Sequence, residues 1–287
     1  MNWSIVVAAS RGYEPGLTAL LNSFEHYHSK GPIIFYLLNL ELPEEFLAKY
    51  RDKNYLRITD LDWVNHPQGG RNTAWSTKIP RFKFASGLDG VVMLADADMF
   101  FCANMDLYFR IAEAGFIVGG ANGSNFRFHQ DWRDKYQIDV PDCFDYKTIC
   151  SVPTIMDTAK HGEVWKSIYD HKMTIGTGAD FDLQNIFMVM HNKLDHILVL
   201  PSQQTTGIHH FMLKQNTRVI RRENKLMTAD GLEVLTVHGK WWQQGWFDNL
   251  MAKMEGYCRE DEKCLKEAFD SRRLLFDEFN KWKNFTL

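Results

Sequence analysis

Long apolar runs are missing from this chain. None approaches the roughly 20 residues that a membrane-spanning helix needs. The first run, Ile5 to Ala9, is too short for a span or a signal-peptide core, and no basic region precedes it. A soluble protein is therefore expected. Cysteine is scarce: five in 287 residues, at 102, 143, 150, 258 and 264, with no CxxC pair. That scatter argues against a disulfide framework and fits a reducing compartment, so the expected location is cytoplasmic. An excess of one charge sign is also missing. Thirty-three Lys and Arg against 36 Asp and Glu give a net charge of -3, which argues against a surface built for phosphate backbones. The local cluster Arg218, Arg221, Arg222 and Lys225 reads as a solvated face. No low-complexity tract, charge block or internal repeat interrupts the chain.

What is present is ordinary globular material. A hydrophobic content of 45% supports a sizeable core, and the length suits one large α/β domain or one domain with a small appendage. Short β-branched runs predict buried strands at Ile5–Ala9, Ile33–Leu38, Leu56–Thr59 and Val91–Leu94. Apolar groups at helical spacing predict helices over Leu17–Tyr27, Pro43–Tyr50 and Arg81–Ser86. This β-α-β-α-β order predicts a parallel sheet covered on both faces, with ligands at the carboxyl ends of strands. Ser10 and Asp96 lie at such ends. The second half reads as mixed. Strands are expected at Phe116–Val118, Cys150–Ile155, Ile197–Leu200 and Leu232–Val237, and helices at Lys160–Lys172 and Asp180–Met190. From Phe247 onward the pattern is helical.

A buried strand ending in Asp96-Ala97-Asp98 needs a reason, because buried charge is costly unless paired or bound to metal. In an extended stretch, residues two apart point the same way. Two such carboxylates suit a hard divalent cation, Mn²⁺ or Mg²⁺, with open positions for a diphosphate. Val237-His238-Gly239-Lys240 offers a third ligand in His238, a close backbone approach at Gly239 and a cation at Lys240.

Together these segments resemble the glycogenin-like and bacterial galactosyltransferase-like retaining glycosyltransferases of GT-A fold. The likeness covers four separated places in the family's order, over roughly residues 3 to 242. Ala9-Ser10-Arg11-Gly12-Tyr13 resembles the loop whose backbone and tyrosine hold the base and ribose. Arg81-Phe82-Lys83-Phe84 resembles the basic helix start that reaches the sugar and phosphates, with Lys78 as a competing phosphate contact. Leu94-Ala95-Asp96-Ala97-Asp98 resembles the metal-binding segment. His238-Gly239-Lys240 resembles the closing His-Gly-Lys element, compressed here so that Lys240 follows Gly239 directly. A fifth stretch, Gly178 to Asn185, is similar to the family's Asp-Gln-Asp helix start. By that match Asp180 faces the donor sugar, Asp182 competes for the role, and Phe181 stands where the family usually has glutamine.

The resemblance implies a GT-A domain over residues 1–246 with a helical extension over 247–287. It implies transfer of a sugar from a nucleoside diphosphate donor, with uridine diphosphate as the carrier, to an acceptor hydroxyl with retention. Asp96, Asp98 and His238 would hold the metal. Ala9, Ser10, Tyr13, Lys78, Ala97, Gly239 and Lys240 would line the donor site, and Arg81, Asp180 and Asp182 would serve the sugar. The acceptor stays open among glycan, lipid-linked sugar, protein and nucleic acid. Asn122 and Asn125 are candidates for sugar hydroxyls, and His209-His210 for a metal. Trp241, Trp242 and Trp246 read either as stacking faces or as packing for the C-terminal helices. Two rivals remain. A sugar-nucleotide nucleotidyltransferase is disfavoured because Ser-Arg-Gly-Tyr lacks the glycine-rich basic loop that grips a triphosphate. A non-catalytic sugar-nucleotide-binding protein is disfavoured by the intact carboxylates.

Overall fold

The computed structural model describes residues 2–28, 30–127, 137–138, 145–205, 218–258 and 261–285. Cys143 and His209-His210 lie outside them. In chain order the elements are β1 (Trp3–Ser10), α1 (Glu14–His28), β2 (Ile33–Leu40), α2 (Glu44–Leu47), β3 (Leu56–Asp60), α3 (Thr73–Ser86), β4 (Val91–Asp96), β5 (Met99–Phe101), α4 (Asp106–Glu113), β6 (Ile117–Arg127) and β7 (Asp145–Asp157). There follow α5 (Thr158–Ile175), α6 (Asp180–Met190), β8 (Ile197–Leu200), α7 (Ser202–Thr205), β9 (Val219–Arg222), β10 (Lys225–Thr228), β11 (Thr236–His238), α8 (Gln244–Cys258) and α9 (Glu262–Lys283). The chain forms two compact units. One holds residues 1–12, 32–96 and 106–199, the other 13–31, 97–105 and 200–287.

The first unit is built on a seven-stranded sheet of order β3-β2-β1-β4-β7-β6-β8. β1 pairs in parallel with β2 and with β4, and β2 with β3. β7 runs antiparallel to both β4 and β6. Ile5, Val6 and Val7 on β1, and Val91 to Leu94 on β4, are fully buried, which is why both strands read as continuous apolar runs. The strand order reverses at β1: the chain leaves it for β2 on one side and returns to β4 on the other. Such a reversal opens a crevice at the strand carboxyl ends, and Ser10 and Asp96 end these two neighbours. α3 begins with the side chain of Asn72 accepting the Trp75 amide at 3.1 Å. Gly176 closes α5 in the left-handed region (φ 79°), and its amide donates to the carbonyl of Lys172 at 3.0 Å.

In the second unit α9 packs on α1. Asn22 of α1 donates to the carbonyls of Trp282 and Phe285 at 2.8 and 3.1 Å. An apolar cluster of Phe100, Val237, Trp241, Phe279 and Trp282 forms the centre. Two short antiparallel ribbons, β9–β10 and β5–β11, complete it. The basic cluster lies exposed on and beside β9–β10, where Arg221 pairs with Glu278 at 2.6 Å and Lys225 with Glu233 at 3.0 Å.

Several expectations need correction. The strand expected at Leu232–Val237 is confined to β11 at its end, and the third helix starts well before Arg81. The cysteines are not all free: Cys258 and Cys264 form a disulfide with Cα atoms 5.6 Å apart. The cause is local. Asp261 caps α9, its carboxylate accepting the amides of Lys263 and Cys264 at 3.1 and 3.0 Å, and this turn returns the chain toward the end of α8. Among the described residues no helix is long and apolar enough to cross a membrane.

Candidate active site

Asp96 is the last residue of β4 and is 8% exposed. Arg81, in the last turns of α3, is 1% exposed, and its Nη1 bonds the Asp96 carboxylate. The other arm of the same guanidinium, Nη2, lies 3.6 Å from Asp180 Oδ2. Asp180 opens α6, where the first-turn amides favour an anion. Its Oδ1 takes the ammonium of Lys172 at 2.6 Å. Lys172, in the last turn of α5, is itself buried, with its ammonium 5.6 Å from the centre of the Trp75 ring. The result is a buried chain of alternating charges, Asp96, Arg81, Asp180, Lys172, two of each sign. Buried ions persist only when paired in this way. Asp182 sits in the same first turn, half-buried.

The second unit holds another cluster. β4 ends at Asp96 and β5 begins at Met99, so Ala97 and Asp98 form a turn rather than the extended pair expected. Antiparallel pairing sets His238 opposite Met99. That register brings His238 Nε2 to 2.9 Å from Asp98 Oδ1. The Gly239 amide donates to the Asp98 carbonyl at 2.8 Å. Gly239 has φ 150°, and a side chain there would stand 2.5 Å from the Trp246 ring, so the tight approach needs glycine. Lys240 follows, its ammonium 5.3 Å from the centre of the Tyr13 ring. Tyr13 also meets Trp242 edge to face at 5.8 Å. A side chain on Gly16 would run into Trp242 and stand 2.7 Å from the carbonyl of Ala97, so α1 needs glycine here too.

Of the other residues singled out, Ala9 and Ser10 are buried at the end of β1, and Lys78 is exposed on α3. Asn122 and Asn125 fall within β6. Lys172 escaped sequence reading altogether. The signal available was weak: one of three lysines on an amphipathic helix, before a Gly-x-Gly turn.

By sequence, no protein-family model and no curated protein matches the chain. Solved structures do. The galactosyltransferase LgtC, in complex with donor and acceptor sugar analogues, is 14% identical with a TM-score of 0.51; the match covers 92% of this chain and 99% of that one. The glycosyltransferase GlyE of Streptococcus pneumoniae TIGR4 is 15% identical (TM-score 0.50), over 95% of this chain and 64% of that one. The bifunctional glycosyltransferase WbbM is 12% identical (TM-score 0.51), over 93% and 51%. The chain has the GT-A fold of these enzymes. At such identities the likeness speaks for the fold; the chemistry must be argued from the residues.

Proposed function

We propose that this GT-A chain is a glycosyltransferase that moves a sugar from a nucleoside diphosphate, with uridine diphosphate as carrier, to an acceptor hydroxyl with retention of anomeric configuration. The observation that supports this most is the buried Arg81 held between Asp96 and Asp180 at the carboxyl end of β4. A sheet of this topology binds ligands there, and the guanidinium ties a metal-binding candidate to a sugar-binding candidate. The transferase domain is taken as residues 1–246, with 247–287 as its helical extension.

Asp98 and His238, already in contact, and Asp96, two residues earlier in the chain, would hold Mn²⁺ or Mg²⁺. Two carboxylates and one imidazole suit Mn²⁺ and leave positions for ligand oxygens. When bound, the cation neutralises charge on the departing diphosphate. The remaining work falls to side chains. Asp180 accepts hydrogen bonds from donor-sugar hydroxyls, with Lys172 and Arg81 fixing its two oxygens. Lys240 meets the growing charge on the diphosphate. Ala9, Ser10 and Tyr13 hold base and ribose, and Lys78 and Ala97 lie within the same proposed donor site. The acceptor oxygen bonds the anomeric carbon, the sugar–phosphate bond breaks with its electron pair going to the diphosphate, and the hydroxyl proton leaves with it. Asp180 or Asp182 is the carboxylate available if retention proceeds through a covalent intermediate.

The test is release of nucleoside diphosphate from a panel of nucleotide sugars, with and without Mn²⁺, for wild type and Asp98→Ala. Metal-dependent release from one donor, lost in the variant, is expected, and NMR of a transferred product reads the anomeric configuration. No release and no metal-dependent donor binding would sink the proposal.

A further inference from the structure

The second unit contains a cleft of about 340 Å³ that the donor site does not use. Among the described residues it is lined by Trp241, Trp242, Gln244, Phe276, Phe279, Asn280 and Lys283. Pockets for small ligands span roughly 300–1,000 Å³, so one or two sugar rings fit this one. We infer that this cleft is a saccharide subsite, and that its occupant is the acceptor.

The lining argues for sugar rather than for a purely apolar ligand. Trp241 and Phe279 belong to the apolar cluster and form a buried floor, 2% exposed each. Trp242, Phe276 and Asn280 are half-buried, and Gln244 and Lys283 are exposed. A helix pair packed for stability alone would close over such aromatic rings, since interiors tolerate few voids. Here Trp242 and Phe276 stay half-exposed, with amides at the edge. A pyranose has an apolar C–H face that fits an indole or phenyl ring, and a rim of hydroxyls that both donate and accept. Amide side chains offer both functions, as Gln244 and Asn280 do. Among the described residues no carboxylate lines the cleft, and Lys283 admits a neutral or acidic sugar.

Position argues for the acceptor, and here the inference rests on the transferase proposal. Trp241 and Trp242 follow Lys240 directly. Lys240 stands over Tyr13, and Tyr13 meets the edge of Trp242. The proposed diphosphate contact and the cleft therefore share a wall.

The test uses the full chain on an array of bacterial, plant and animal oligosaccharides, followed by titration of a captured oligosaccharide in solution. The comparison is Gln244→Ala/Asn280→Ala, which alters the cleft edge and leaves the aromatic floor intact. Capture of an oligosaccharide, at least tenfold weaker binding by the variant, an equal loss of transfer to it, and unchanged release of nucleoside diphosphate to water are expected. If no oligosaccharide is captured, or the variant binds it as well as wild type, the inference is overturned. If the cleft binds its sugar but no nucleotide sugar is hydrolysed or transferred, the transferase proposal fails and the saccharide site stands.

Discussion

Lys172 and Asp180 meet at 2.6 Å through side chains 8% and 12% exposed, across the turn that separates α5 from α6. The contact closes a chain that begins at Asp96 and passes through Arg81. A charge in such a chain cannot be deleted without stranding its neighbour.

Lys172→Met should therefore lower stability by about 3 kcal/mol. Adding Asp180→Asn to it should cost less than the sum of the two single changes, because the stranded carboxylate is removed as well. Urea unfolding at neutral pH measures both. On activity, loosening the carboxylate that holds the sugar should cut kcat by about 10²-fold with a smaller effect on donor KM. Lys172→Arg should restore part of it. Full activity in Lys172→Met would remove Lys172 from any positioning role.

His238→Ala should weaken Mn²⁺ binding by at least ~10-fold, because the imidazole already in contact with Asp98 at 2.9 Å is one of three proposed ligands. Electron paramagnetic resonance of free Mn²⁺ reads this without relying on turnover. Unchanged Mn²⁺ affinity in both His238→Ala and Asp98→Ala would place the metal elsewhere.

Gly239→Ala should cost about 1–3 kcal/mol from the backbone alone, with more from the collision with Trp246. Thermal unfolding measures the loss. A neutral result would mean that the His-Gly-Lys segment rearranges freely.

The parallel half of the sheet was legible because its strands are buried on both faces, so Ile5-Val6-Val7 and Val91 to Leu94 carry an unbroken apolar signal. α6 was legible to its ends, since Asp180 and Asp182 mark its first turn and six apolar residues follow within it. Arg81 and Lys78 could not be separated by spacing; burial separates them, with Arg81 inside and Lys78 in solvent. Lys172 could not be found at all, because its partner is chosen by the left-handed cap at Gly176 and the turn after it. The extended spacing expected of Asp96 and Asp98 does not hold, as Asp98 lies in a turn and not on a strand. The link between Cys258 and Cys264 depends on an N-cap that composition does not register.

Glu278 gives the second unit a pH dependence. Burial works to raise its carboxyl, and hydrogen bonds from Arg221 and Lys281 outweigh that and hold it below the ordinary value of 4.5. A carboxyl depressed in the folded state adds stability that is present above 4.5 and is lost as pH falls through the folded value. Glu278→Gln should therefore be less stable than wild type by about 1–3 kcal/mol at pH 7, and the gap should shrink toward pH 3. Urea midpoints at the two pH values test the sign; a gap that widens in acid would contradict it.

The cysteines should divide by reactivity. Thiolate is the nucleophile, and burial pushes Cys150 up to about 12 and Cys102 well above its ordinary value. Neither should alkylate in the native chain at pH 8. Cys258 and Cys264 should resist as well, but for the different reason that they are joined. Denaturation without reductant should then expose Cys102 and Cys150 to iodoacetamide while a peptide linked through Cys258 and Cys264 survives to mass spectrometry. Among the four described cysteines, reduction of the native chain should free only Cys258 and Cys264, and cost about 2 kcal/mol for so short a loop. Ready alkylation of Cys258 and Cys264 in unreduced protein would mean that the pair is open, and would return the argument to the reducing compartment that scattered cysteines suggest.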